Sequence, residues 1–472
     1  FTVLYHVASL VGAPFAGKAC DKFGRKVVIT TACVLFLGGA TWQTCAGLIS
    51  HDFGWGSILL GRVVSGLGNG FLLSSIPVYA SELAPANYRG KALTMFQLNI
   101  VIGILLMALL NKVLSGPTWG WRIAFTIQSV PCATIILMTA FVLPESPRFL
   151  VQNGKRDQAR QAIEKLCRGS PNAQRLAETE LRDIELEVEE YQSVGEGSFK
   201  ELFQGPGAQM TLCAVTVTLA TQITGINWFI NYATQLFSDL GLDAFTFDIY
   251  LKLVNMVFTI TTLFLVERFG RKFLTVWGSV FILLAFLLNS IVIYATGVDL
   301  TDDNPSSKTK SVQMFTLSMI FMYMAAYAAT LGTLGWLIPS EVFTLRLRGK
   351  GMSLSIAANM LGNIVFGDYG YVNFNSVTSI EATMVLLVFL NFFFVFLVYI
   401  FLQPETKGTT LEEIRKVFGY EYNGNEKRGH GTLKNFYVGN ASEALQILRC
   451  RAVDPHDRFP KNFITPETPG SP

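Results

Sequence analysis

Eleven stretches of this chain are long and apolar enough to cross a lipid bilayer, and they constrain its fold more than any other feature. They cover 1–19, 27–49, 57–81, 92–114, 122–143, 209–237, 245–266, 273–295, 312–339, 351–372 and 381–402. A helix needs roughly 20 mostly apolar residues to span the hydrocarbon core. Lipid offers backbone N–H and C=O groups no partner, so runs of this composition are predicted to be helices. The expected fold class is therefore all-α, a polytopic membrane protein in a lipid bilayer. Composition agrees: 51% of the residues are hydrophobic and only 15% charged, against about 25% charged in soluble domains.

The same numbers exclude several functions. Lys+Arg 37 against Asp+Glu 34 is too balanced for a nucleic-acid binder. The 7 cysteines and 4 histidines are scattered without ligand spacing, so neither a metal nor a disulfide framework is expected. No nucleophile–base set and no phosphate-cradling loop stands out, so the chain is not expected to be an enzyme, and no cofactor is implied.

Charge alternates between the connections. Lys18, Lys22, Arg25 and Lys26 follow the first span, Arg89 and Lys91 the third, and Arg148, Lys155 and Arg156 the fifth. Arg268, Arg271 and Lys272 follow the seventh, and Arg346, Arg348 and Lys350 the ninth. The intervening connections are acidic or poor in cations, with His51 and Asp52, then Asp239, Asp243 and Asp248, then Glu381. Cation-rich loops stay in the cytoplasm, which puts the C-terminus inside and Phe1 outside. An odd count of spans beginning outside leads to the expectation of one further span upstream, twelve in the full protein.

The chain also repeats itself. Asp21-Lys-Phe-Gly-Arg-Lys26 returns as Glu267-Arg-Phe-Gly-Arg-Lys272. Ser81-Glu82 with Tyr88-Arg89-Gly-Lys returns as Ser340-Glu341 with Leu347-Arg348-Gly-Lys, and Pro144-Glu145-Ser-Pro-Arg148 has a counterpart in Pro404-Glu-Thr-Lys-Gly408. Three motifs in one order, always on the cation-rich side, imply two parallel homologous bundles about a central path. The expected divisions are an N-terminal bundle over 1–143, a cytoplasmic helical linker over 144–208, a C-terminal bundle over 209–402 and a cytoplasmic tail over 403–472. In the linker, Leu181, Ile184, Leu186 and Val188 interrupt a dense charge run, which fits either amphipathic helices or a solvated charged face. The tail beyond 420 is polar, rich in Asn, Pro and Gly, and reads as disordered.

These residues resemble the sugar porter family of the major facilitator superfamily. The resemblance rests on Gly17–Lys26, Arg62 after Gly61, Pro77-Val-Tyr-Ala-Ser-Glu82, Pro144–Arg148, Gln222-Ile-Thr-Gly225-Ile-Asn227, Glu267–Lys272 and Pro404–Gly408, and so runs from Gly17 to Gly408. The stretch from Gly335 to Gly351 is most similar to the fungal branch. The resemblance implies that the first span here is the family's second helix. In proton-coupled members an acidic residue on the first helix is associated with coupling.

A sugar offers hydroxyls that both donate and accept, around an apolar ring face. Its site therefore calls for carboxamides and an aromatic ring. Carboxamides are costly in lipid unless they face a polar cavity or one another. The resemblance assigns Gln97, Gln222, Asn227, Asn255, Trp336 and Asn359 to the sugar cavity. Each has a second reading, an interhelical hydrogen bond or, for Trp336, plain packing. Asn363 reads as helix packing. The family pattern is broken at Thr221, Asn231, Thr333 and Met360, which points to a cavity altered for a larger or less common sugar, a sugar acid or a polyol.

Asp21, Arg25, Lys26, Glu82, Arg89 and Glu145 form one cytoplasmic charge set, and Glu267, Arg271, Lys272, Glu341 and Arg348 the matching one. They are expected to lock the bundles together when the cavity faces outward. Alternatively, they satisfy topology alone. Arg62, inside a span, is expected to pair or hydrogen-bond and to sense coupling, while Asp368 reads as a helix-end carboxylate. The expected function is secondary transport of a sugar or sugar-like solute by alternating access, with protons as a second partner, by a monomer in the plasma membrane. The competing readings are a sugar sensor that does not transport and an exporter of a specialised metabolite.

Overall fold

Among the residues that this computed structural model describes (2–46, 54–84, 89–167, 173–194, 197–239, 241–298, 306–369 and 380–394), every regular element is a helix. The last expected span is described only to 394, and the tail over 403–472 lies outside the described residues.

The repeated Phe-Gly-Arg-Lys motif turns the chain in the same way twice. Helix α1 (Thr2–Phe23) gives way to α2 (Arg25–Thr44) at Gly24, φ +92°, and α12 (Ala244–Phe269) to α13 (Arg271–Thr296) at Gly270, φ +88°. Only glycine holds such angles without strain, so each motif ends one helix and starts the next. Between these turns lie α3 (Gly54–Leu83), α4 (Arg89–Leu114), α5 (Gly120–Ile127) and α6 (Ser129–Phe141). The linker follows as α7 (Pro147–Gln152), α8 (Arg156–Leu166), α9 (Ala173–Val194) and a 3-10 turn (Phe199–Phe203). Next come α10 (Gly205–Ile223) and α11 (Ile226–Asp239). Beyond α13 lie α14 (Ser307–Ala329), α15 (Leu331–Val342), α16 (Leu345–Gly362), a π-helical turn (Asn363–Tyr369) and α17 (Ile380–Phe394).

Several expected single spans are broken. The fifth divides at Gln128, the sixth at Thr224-Gly225 and the ninth at Thr330 (φ −136°, ψ −85°), and the tenth ends in the π turn. Seven helices among the described residues are long and apolar enough to cross a bilayer, fewer than the eleven runs expected. The shortfall has local causes. Helix α1 is diluted by His6, Pro14 and Lys18, α10 and α11 are halves of one broken span, α16 opens with Arg346, Arg348 and Lys350, and α17 is described over only part of its run.

Helices α1, α2, α3, α5 and α6 pack together, as do α10 and α12 to α15, and two seams join the groups: α1 against α16, and α4 against α12. Glycines let these helices approach closely. Gly66 and Gly70 meet the backbone of α1, and Gly61 and Gly68 that of α2. Helix α12 is inverted relative to a soluble helix. Leu253, Val257, Phe258, Ile260 and Phe264 face outward, while Asp248, Lys252, Asn255, Thr259 and Thr262 are buried. An apolar exterior over a polar interior suits a lipid surround. In the linker, Leu181, Ile184 and Val188 of α9 are buried with Leu150, Ala159, Ala162 and Ile163, while Leu186 is exposed, so this segment is packed amphipathic helix.

Candidate functional site

The break between α10 and α11 brings two of the expected carboxamides together. Gly225 at φ +83° makes the turn, and the buried Tyr323 of α14 donates its hydroxyl to the Thr224 carbonyl at 3.1 Å. This occupies a carbonyl that the break would otherwise leave without a partner. Gln222 ends one helix, Asn227 begins the next, and Asn227 Nδ2 donates to Gln222 Oε1.

The π turn closes over this pair. A Cβ built on Gly362 would lie 2.9 Å from the Gln222 Cβ, and one on Gly367 would lie 3.1 Å from the Asn227 Cβ and 2.7 Å from Asn363 Oδ1. Asn363 Oδ1 is buried without a hydrogen-bond partner, and its Nδ2 lies 3.3 Å from Nε2 of His6 on α1. Asn363 therefore packs the π turn against α1 of the other bundle, with one acceptor left open. A buried lone carbonyl oxygen costs about 1–3 kcal/mol until a donor arrives, and a sugar hydroxyl is such a donor.

The remaining expected site residues line the seam or lie near it. Gln97 of α4 is buried, with Nε2 3.6 Å from the Cβ position of Gly332 at the start of α15. Its neighbour Phe96 meets Trp336 edge to face at 5.6 Å and 82°, and Trp336 packs on Ala13, Val78, Met352 and Ile356 from both bundles. Asn359 is buried one turn before Asn363. Asn255 is buried on α12, where Thr259 Oγ1 donates to its backbone carbonyl at 2.8 Å.

Of the departures from the family pattern, Thr221 finds a local explanation. The Thr221 hydroxyl donates to the Thr218 carbonyl at 2.7 Å, and its methyl lies 2.7 Å from a Cβ position on Gly335, so Thr221 sets a close approach of α10 to α15. Asn231 is exposed, whereas Met360 and Thr333 are buried.

The charged motifs form one cluster in each bundle. Arg25 is buried between Glu82 (Nε–Oε2 2.9 Å, Nη2–Oε1 2.9 Å) and Asp21 (3.5 Å). Ser146 Oγ donates to Glu82 Oε2 at 2.6 Å. One oxygen of Glu145 accepts from the backbone N–H groups of Arg25, Lys26 and Ser146 at 3.0, 3.1 and 2.9 Å. The matching pair is Arg271–Glu341 at 2.8 Å. Both ion pairs close within a bundle. The bundles approach closely at this end: a Cβ on Gly17 would lie 2.9 Å from the Gly349 carbonyl and 2.8 Å from Ser353 Oγ. Asp21 reaches within 3.7 Å of the Gly349 Cβ position, and Arg271 Nη2 within 3.4 Å of that of Gly90. Arg348 is buried and Lys272 half-buried, while the side chains of Arg89, Glu267 and Asp368 lie outside the described residues. Arg62 sits over the rings of Tyr5 and Phe125 at 5.7 and 5.2 Å and forms no ion pair among the described residues.

At the opposite end, Lys112 of α4 donates to Thr246 of α12 at 2.6 Å and lies 3.9 Å from Asp243. The Thr246 hydrogen bond, helped by the Lys112 charge, holds the Asp243 carboxyl below its ordinary range. Two residues that sequence reasoning did not place in a site lie just beyond. Asp248, assigned to a connection, is inside α12, where its Oδ1 accepts from the buried Lys252. An acid and a base four residues apart in an apolar run were the available signal.

A family model described as sugar (and other) transporter matches residues 1–418. Among curated proteins, H(+)/hexose cotransporter 2 of Parachlorella kessleri is 33% identical over 430 residues, 89% of this chain and 75% of that protein. The low-affinity glucose transporter HXT3 of Saccharomyces cerevisiae is 30% identical over 426 residues, covering 88% and 72%. Among solved structures, the major facilitator proton:xylose symporter XylE bound to 6-bromo-6-deoxy-D-glucose superimposes with a TM-score of 0.75 at 23% identity, over 88% of each chain. The inward open conformation of XylE from E. coli gives 0.67, again at 23% identity and 88% of each chain.

Proposed function

The chain belongs to the sugar (and other) transporter family, integral multi-pass membrane proteins of the major facilitator fold and not enzymes, and from this premise we propose how it handles its cargo. A sugar or sugar-like solute binds at the seam between the bundles, held by Gln222 and Asn227 with Gln97, Asn255, Asn359 and Asn363, its apolar face against Trp336. The observation that carries this reading is the broken helix that presents Gln222 and Asn227 to each other beneath the π turn.

The cargo exchanges its hydroxyls for the Asn227–Gln222 bond and supplies a donor to the unpartnered Asn363 Oδ1. Each charge cluster braces its own bundle: a buried pair such as Arg25–Glu82 is strongly destabilising to break one-sidedly, so it moves as a unit. The contacts that must part when the site opens to the motif end are the weaker ones between bundles, at Gly17, Asp21 and Gly90. That end is cytoplasmic, the C-terminus lies on the same side, and the protein works as a monomer in the plasma membrane. The bundles correspond to 1–143 and 209–402, joined by the helical linker 144–208, with 403–472 as tail. Transport is coupled to protons, as the name of the hexose cotransporter relative suggests, and Arg62 is the coupling cation.

The test is uptake of radiolabelled sugars by vesicles holding this chain, with and without an inward proton gradient. Saturable uptake accelerated by the gradient is expected. No saturable uptake across hexoses, pentoses, disaccharides and polyols would overturn the reading.

A further inference from the structure

The face of α1 that meets the other bundle changes character along its length. At the motif end it is small: Gly17 comes against the Gly349 carbonyl, and Ala13, about one turn on, packs with Trp336, Met352 and Ile356. About two turns beyond Ala13 the same face carries His6, and there a polar contact replaces close packing. His6 Nε2 lies 3.3 Å from Asn363 Nδ2 across the seam, and its ring stands edge-on to that of Tyr5 at 5.6 Å and 71°.

Asn363 is only 8% exposed, and its Oδ1 is buried without a hydrogen-bond partner. One point, where a Cβ on Gly367 would stand, is 2.7 Å from that oxygen and 3.1 Å from the Asn227 Cβ. The open acceptor therefore lies beside Asn227, in the π turn that packs on both α1 and α11.

The two ends of a carboxamide differ in chemistry, since its oxygen only accepts and its nitrogen only donates. Their shapes are nearly the same, so a partner must decide which end faces which neighbour. With the ring proton of His6 on Nδ1, its Nε2 accepts from Asn363 Nδ2 and turns Oδ1 the other way. A contact that served packing alone gains nothing from leaving the second end empty, because a lone buried acceptor costs about 1–3 kcal/mol.

We infer that His6 is a positioning residue for cargo selection: it holds the Asn363 amide with its oxygen beside Asn227, creating a subsite that takes only a hydroxyl able to donate. His6 acts through Asn363 and does not itself touch the cargo. The inference rests on the sugar-transport reading above and names the contact at which that same site tells a hydroxyl from a group that only accepts. A cargo hydroxyl donates its hydrogen to Asn363 Oδ1, whereas a fluorine at the same position would set one acceptor against another.

The test is competition for binding to the full chain against a labelled parent, glucose or, where glucose does not bind, xylose, maltose or sorbitol. The competitors are the deoxy and deoxyfluoro analogues of that parent, one hydroxyl at a time. In the unaltered protein one position is expected at which the deoxyfluoro analogue binds at least about fivefold more weakly than the parent and no better than the deoxy analogue. His6→Phe keeps a ring beside Tyr5 and removes Nε2, so the amide can turn and offer Nδ2 to the fluorine. There the deoxyfluoro analogue should recover to within about threefold of the parent, whose own affinity should change by less than about threefold. In an Asn363→Ala background, His6→Phe should leave the fluorine-to-hydroxyl ratio where it is, because the two residues act as one unit. Thermal unfolding of each variant reports folding, and His6→Leu serves where the Phe variant does not fold. A ratio unchanged by the His6 substitution in folded protein, or an equal fall for parent and analogue, overturns the inference and leaves sugar transport standing. So does the absence of any position that rejects fluorine. Failure of all four parents to bind would instead sink the reading on which the inference rests.

Discussion

Glu145 shows how much one side chain does at the charged end. Its carboxylate takes three backbone N–H groups that open α2 and α7, so it serves as a shared helix cap. Glu145→Ala should cost about 1–3 kcal/mol by orphaning those donors, whereas Glu145→Gln keeps an acceptor and loses only about 0.3–1 kcal/mol of charge–dipole attraction. Thermal unfolding in detergent should therefore separate the two, and equal losses would mean that charge, not capping, is what matters. The sequence showed Glu145 only as a charge in a motif, because the fold brings its three donors from two segments. The carboxamides were more legible, since an amide in an apolar span demands a reason wherever it occurs. Asn363 and His6 were not, because their meeting depends on the seam between α1 and the π turn, which no local pattern encodes. The Asp248–Lys252 pair was missed because Asp248, though inside the expected span, was counted with the acids of the connection, and its burial with Lys252 shows only in the packed helix.

At the scale of elements, the sequence marks helices well and their breaks poorly. Hydropathy cannot distinguish one long helix from two shorter ones that share an axis, and the interruptions at Thr224-Gly225 and Thr330 depend on glycine geometry and side-chain anchoring. The break at Gly225 is the one that makes the site. Gly225→Ala places a side chain at φ +83°, about 1–3 kcal/mol of backbone strain, with the new Cβ 3.1 Å from Leu387. It should lower both the unfolding midpoint and sugar affinity. Tyr323→Phe removes the hydroxyl from the Thr224 carbonyl, costing about 1–3 kcal/mol, and should show the same paired loss in the same two assays. Lowered stability with unchanged affinity would show that the turn does not shape the pocket.

For the whole molecule, the repeated motifs announced two bundles, and the family match and fold agree with that architecture. What the motifs did not reveal is how closely the backbones meet at the seam, where Gly17 approaches the Gly349 carbonyl, while the Arg25–Glu82 and Arg271–Glu341 pairs each close within a bundle. Gly17→Leu should act as a wedge there, because overpacking a tight contact costs about 1–3 kcal/mol. That penalty shifts a two-state equilibrium toward opening at the motif end by roughly five- to hundredfold. Thiol labelling of a cysteine placed at Gly349 should accelerate accordingly relative to the same cysteine without the wedge, and an unchanged rate would show that the seam does not open there.

The measurement closest to the centre is equilibrium binding of a labelled sugar to the purified, folded chain, compared with Gln222→Ala and Asn227→Ala. Each variant removes a hydrogen-bonding amide worth about 1–2 kcal/mol, so affinity should fall roughly five- to thirtyfold while the unfolding midpoint stays close to that of the unaltered protein. Full affinity in both variants would contradict a cargo site at the α10–α11 break.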